Sequence, residues 1–111
     1  MPREKPPKSV FGLRMREARQ RLGLAQDRLG VQMGFDEGCA SARISRYETG
    51  THEPPLGTAR KMAAILKVPT AYLYCPEDNL AAAILDLYAL QDDELQSIRR
   101  SVARLLKKRE G

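Results

Sequence analysis

Glycines at positions 23, 34 and 50 punctuate the first half of this chain, and between them apolar residues recur at helical spacing. Phe11, Met15, Ala18 and Leu22 fall at i, i+4, i+7 and i+11, one face of a helix. Ser9 is placed to cap it and Gly23 to end it. A second, short helix runs from Gln26 to Met33 and stops at Gly34. Gly34-Phe35-Asp36-Glu37-Gly38 reads as a turn, and Ala40, Ile44 and Tyr47 begin a third stripe that closes at Gly50. Ala59, Met62, Ala63 and Leu66 mark a fourth helix, and Pro69 to Tyr74 a fifth with Pro in its first turn. After the break at Pro76-Glu77-Asp78-Asn79 come two more stripes, Leu80/Ile84/Leu87/Tyr88 and Leu95/Ile98/Val102/Leu105/Leu106. No segment alternates as a half-buried strand must, so the expected fold class is all-α.

At 111 residues the chain makes one domain, or one small domain with an appendage. That length excludes barrels and doubly wound sheets with a second domain. The sequence lacks Trp and has 5% aromatics, so its core is mostly aliphatic. Residues 1–76 hold 13 basic and 7 acidic side chains, a net +6, whereas residues 77–111 hold 6 and 7, a net −1. Any site for a polyanion is therefore expected in the first part, and most of its basic residues are arginine, whose planar fork matches phosphate and guanine edges. Cys39 and Cys75 fit neither a disulfide framework nor a zinc pattern, and His52 sits in a loop. No cofactor and no metal are expected. Nor is there an apolar h-region near Met1, or an apolar run near the ~18 residues of a membrane span; the expected location is the cytoplasm.

Leu13-Arg14, Arg19, Leu22-Gly23-Leu24, Gln26, Leu29 and Gly34 are followed by Ile44-Ser45-Arg46-Tyr47-Glu48-Thr49-Gly50. Pro54, Leu56, Ala63, Leu66 and Tyr72-Leu73 complete the set. This ordered set, from about Phe11 to Leu73, resembles the repressor/Cro (XRE-type) helix-turn-helix family. The resemblance implies a compact five-helix DNA-binding domain over residues 9–76. Helix 2 would cross the DNA backbone, and helix 3, around Ser41–Glu48, would enter the major groove.

Each role has a physical reason. Gln26 stands at the start of helix 2, where free N–H groups and the positive dipole end attract phosphate; its amide can donate to a phosphate or brace the recognition helix. Arg43 and Arg46 lie three apart on helix 3, away from Ile44 and Tyr47, and either can fork onto guanine for ~1–3 kcal/mol of base discrimination. The alternative is that both merely meet phosphate or solvent; the resemblance favours base contact for Arg46. Ser41 can bond a base edge, the Ala42 methyl can touch a thymine methyl, and Ser45 is a further base-contact candidate. Thr49 and Thr51 are candidate phosphate contacts by hydroxyl or backbone N–H. The resemblance also implies a buried ion pair between Arg19 and Glu48, of value for orientation more than for net stability.

The sequence departs from the family at three places. The ten-residue step from Gly34 to Ile44 is longer than usual, so residues around Glu37-Gly38-Cys39-Ala40 either lengthen the turn or start helix 3 earlier. Ala25 stands where a hydroxyl normally caps helix 2, losing ~1 kcal/mol. Gly30 replaces the usual alanine, which keeps a close helix crossing at ~1 kcal/mol in propensity.

Residues 1–8, with three prolines and Arg3, Lys5 and Lys8, read as a flexible basic arm. Residues 77–111 read as a C-terminal helical hairpin that packs back on its own domain or pairs with a second copy. Together these features predict a sequence-specific regulator of transcription that binds double-stranded DNA, a repressor rather than an activator, acting as a homodimer. It has no membrane role, and any effector would be a protein or would act on the tail. The runner-up is an antitoxin-like or bridging protein whose C-terminal helices bind a protein partner. An enzyme is disfavoured, since no Ser-His-Asp or paired-carboxylate arrangement is recognisable.

Overall fold

Ser9 starts the first helix as a side-chain cap: its hydroxyl accepts the Gly12 N–H at 2.9 Å, and α1 runs Val10–Arg21. The computed structural model describes residues 4–111, so Arg3 of the basic arm lies outside the described residues. Phe11, Met15 and Ala18 are buried along α1. Leu22, the fourth residue of the predicted stripe, falls at the C-cap and is exposed, because Gly23 at φ +66° turns the chain away there. α2 spans Gln26–Gln32 and starts at Ala25 without a side-chain cap.

The long step between the helices resolves into both expected outcomes. The chain bends through residues 33–39, with the Phe35 N–H on the Gly30 carbonyl at 2.9 Å and the Cys39 N–H on the Asp36 carbonyl at 3.0 Å. α3 then begins early and spans Ala40–Thr49. This early start sets Ala40 directly on α2. A Cβ added at Gly30 would lie 2.6 Å from the Ala40 Cβ and 2.8 Å from its carbonyl oxygen. Glycine at position 30 is thus a requirement of the crossing. Gly12 plays the same part at the other end of α3, where a Cβ would overlap the Glu48 carbonyl.

α4, Leu56–Leu66, and a 3₁₀ turn, Thr70–Tyr74, close the core around Met15, Leu29, Ile44, Met62 and Leu73. The helical pattern groups Arg14 with Arg16, Glu17 and Arg21 on the solvent face of α1, but Arg14 is only 2% exposed. Its Nε donates to the Cys75 carbonyl at 2.8 Å and its Nη2 to the Pro76 carbonyl at 3.1 Å. Nη2 also meets Asp78 at 3.0 Å, and Nη1 meets Glu17 at 3.0 Å. Burial pulls the guanidinium pKa down, but the bonds and charges of Asp78 and Glu17 outweigh it and the net shift is upward. Because Asp78 is largely exposed, its ion pair contributes little, and the two carbonyls are what anchor the chain leaving the 3₁₀ turn.

α5, Asp78–Tyr88, packs back on this core through Ala81, Ile84 and Leu85. The predicted α5 stripe is therefore rotated, and Leu80, Leu87 and Tyr88 stay exposed. α6, Asp92–Glu110, buries none of its residues and packs along no other helix. The two tail helices do not pack along each other: α5 turns Ala81, Ile84 and Leu85 onto the domain, and Leu80, Leu87 and Tyr88 remain exposed. The result is a 58 × 26 × 26 Å particle with a radius of gyration of 16.6 Å, against about 13 Å for a compact chain of this length.

Replacing Gly30 by Ala is expected to destabilise the fold by about 1–3 kcal/mol through overpacking on Ala40, although helix propensity alone would stabilise it by about 1 kcal/mol. Urea unfolding midpoints decide the sign, and a more stable variant contradicts the close crossing.

Candidate nucleic-acid interface

α3 has two faces with different chemistry. Ala40, Ile44, Tyr47 and Glu48 point into the molecule and are buried. Opposite them, Ala42, Arg46 and Thr49 follow one another at helical spacing and form an outward ridge. Ser41 and Ser45 flank it on one side and Arg43 on the other. Arg43 and Arg46 are both exposed, but they do not share one line: Arg46 lies on the ridge and Arg43 on its edge.

Arg43 has a fixed seat. Its guanidinium carbon lies 3.7 Å from the centroid of the Phe35 ring, in the bend before α3. Stacking uses the flat face of the fork and leaves its N–H edges free to donate. The bend therefore aims an arginine through Phe35. At the far end of α3 the Thr49 hydroxyl bonds the Arg46 carbonyl at 3.3 Å and the Thr51 hydroxyl at 2.9 Å. Both threonines thus stand together where the helix ends at Gly50, itself at φ +81°.

Behind the ridge lies one buried carboxylate. Glu48 is fully buried, and three side chains from α1 and α2 donate to it. Arg19 does so through Nε to Oε2 at 2.6 Å and through Nη2 to Oε1 at 3.2 Å. Arg16 donates its Nε at 2.9 Å and Gln26 its Nε2 at 3.1 Å. Of the two uses open to the Gln26 amide, the one realised here is the brace to α3. Arg19 also donates to the Leu24 carbonyl at 2.9 Å and to Glu4 Oε1 at 2.7 Å. Burial draws the Arg19 guanidinium down, but hydrogen bonds and charge from Glu48 and Glu4 more than offset this, and its pKa rises above the ordinary arginine value. With its pKa raised, the Arg19 guanidinium stays charged, and the stability it contributes is lost only as pH climbs through its folded-state value.

Arg16, Glu4 and Phe35 belong to this arrangement although their spacing gives no sign of it. Glu4 lies in the expected flexible arm, yet it reaches back across α1 to Arg19. Of the acidic pair in the bend, Glu37 faces the outer side of α2, beside Asp27 and Arg28. Among the described residues no helix is long and apolar enough to cross a membrane, and no group of His, Cys, Asp and Glu is arranged to hold a metal ion.

Residues 10–73 match the family model for a helix-turn-helix domain. The chain is 36% identical over 75 residues to the uncharacterised HTH-type transcriptional regulator RghRB of Bacillus subtilis (strain 168), a match covering 67% of this chain and 51% of that protein. It thus spans about half the length of this curated relative. The crystal structure of the transcriptional regulator BswR superposes with a TM-score of 0.84 at 42% identity, covering 87% of this chain and 96% of that one.

Truncating Glu48 to Ala leaves buried Arg19 and half-buried Arg16 without the carboxylate that both bond in the core, at an expected cost of about 3–5 kcal/mol. The same truncation at exposed Arg46 is expected to stay within about 0.5 kcal/mol. Chemical denaturation of both variants tests the contrast, and equal costs contradict the picture of Glu48 as the buried fastening.

Proposed function

The chain belongs to the repressor/Cro (XRE-type) helix-turn-helix family, and from that premise we propose that it is a sequence-specific, double-stranded DNA-binding regulator of transcription. The observation that carries the reading is the outward ridge of α3, exposed and polar while the reverse of the same helix is fastened at Glu48. In this reading Arg46 meets guanine O6 and N7, the Ala42 methyl meets a thymine methyl, and Ser41, Ser45 and the Phe35-seated Arg43 meet bases at the edges of the ridge. Thr49 and Thr51 hold phosphate beyond the end of α3, and the start of α2 at Gln26 holds it on the other side. Backbone contacts fix register, and the ridge reads sequence. Action as a repressor follows most simply, since a small domain seated in the major groove obstructs its site.

A single helix-turn-helix reads few base pairs, so a second copy is needed for a useful specificity ratio. The uncovered stripe of α6 is the surface we assign to it. Asp92, Asp93 and Glu94 begin α6 and Lys107, Lys108 and Arg109 end it. Two copies laid antiparallel set each acidic end against the other's basic end while Ile98, Val102 and Leu105 cover one another. Half-sites would then lie about one helical turn, ~34 Å, apart or a multiple of it. The same face would be the landing place of a protein effector.

Arg46→Ala is expected to relax base preference, by about 1–3 kcal/mol at one position, while Gln26→Ala weakens binding evenly over sequences. Selection of bound duplexes with each variant reads the difference, and an unchanged motif for Arg46→Ala contradicts the base contact. For the dimer, Ile98→Glu with Leu105→Glu in the full chain is expected to give a monomer in sedimentation equilibrium where the unaltered chain is a dimer. Identical association states would remove α6 from the interface.

A further inference from the structure

The segment before α1 makes a cleft with the flank of α3. Lys5 and Lys8 on one side and Ser45, Arg46, Thr49 and Thr51 on the other line a space of about 500 Å³. Its lining holds three cationic side chains and three hydroxyls, and no carboxylate. The acidic residue of the segment, Glu4, is turned away from the cleft and bonded to Arg19 at 2.7 Å, with Arg16 at 3.7 Å. Lys5 and Lys8 are exposed and make no salt bridge among the described residues. Their charge is therefore available to an outside anion, and the Ser45 hydroxyl opposite, unlike those of Thr49 and Thr51 that bond each other and the Arg46 carbonyl, can add a neutral donor to the same anion.

We propose that this cleft is a second DNA-backbone site, in which Lys5 and Lys8 grip phosphates of the strand running past the end of α3, with Glu4 as the clasp that sets them there. The proposal rests on the reading of α3 as the DNA-reading helix. Arg46 ties the two together, because it lies on the outward ridge and also lines the cleft. A strand entering the cleft is thereby held beside the bases that Arg46 addresses. Glu4 reaches the arginine that also grips Glu48, so the segment and α3 are referenced to one anchor. An unclasped segment would have to be ordered at the moment of binding, which lowers affinity.

The test uses the full chain and a duplex carrying its selected site. Lys5→Ala with Lys8→Ala is expected to weaken binding evenly across sequences and to flatten the dependence of log K on log salt by about 1 for each lysine and each chain bound. Both side chains are exposed, so circular dichroism should show the same fold. Glu4→Ala separates a clasp from a mere surface charge. Removing a negative charge near a polyanion ought to tighten binding, whereas loss of the clasp weakens it, with an expected rise in Kd of several fold. An unchanged salt slope in the lysine variant, or tighter binding by Glu4→Ala, overturns the proposal while leaving the α3 reading in place. An unaltered chain that binds no duplex overturns both.

Discussion

A single buried carboxylate organises this molecule. Glu48 sits on the inner face of α3 with no exposure to solvent, and its two oxygens collect donors from Arg16 and Arg19 of α1 and Gln26 of α2. A charge in such a place is tolerable only when its partners are well placed. Those partners lie on the two helices that α3 crosses, so satisfying the charge fixes the angle of α3 to both. The arrangement returns little net stability; what it returns is posture. α3 presents its outward ridge at one tilt because any other would strand a carboxylate in the core.

Close backbone approach serves the same end. Gly12 admits the Glu48 carbonyl against α1, and Gly30 admits Ala40 against α2. Each end of α3 is thus pressed onto a neighbour at a residue without a side chain, and the carboxylate network lies at one of these points. The lengthened bend between α2 and α3 fits the same logic. It adds chain without loosening α3, because α3 starts early on Gly30 and the Phe35 ring in the same bend seats Arg43. Away from this centre, order gives way to availability, and α6 carries its apolar stripe into solvent.

Much of the fold is legible in the sequence because helical periodicity is a local signal. The stripes through Met15, Leu29, Ile44 and Met62 name core residues directly. The division of α3 into an inner face with Ile44 and Tyr47 and an outer face with Arg46 follows from spacing alone. The Arg19–Glu48 pair is reachable only through family resemblance, since nothing in the spacing of two residues 29 apart links them. Arg14 is illegible for a different reason: its partners are the carbonyls of Cys75 and Pro76, which every residue possesses. Glu4 is hidden likewise, inside a proline-rich stretch that periodicity assigns to no element. The packing of the two tail helices is not legible, because periodicity tells which residues seek cover and not what covers them. α5 finds its cover on the domain, and α6 buries no residue among the described residues.

The most direct measurement is an amide chemical-shift map of the chain titrated with a duplex selected from random sequence. The largest changes are expected along residues 41–51, at the start of α2 and in residues 5–8, with the interior of the fold little moved. Changes confined to α6 or to the far side of α4, with the outward ridge of α3 silent, would contradict α3 as the DNA-reading helix.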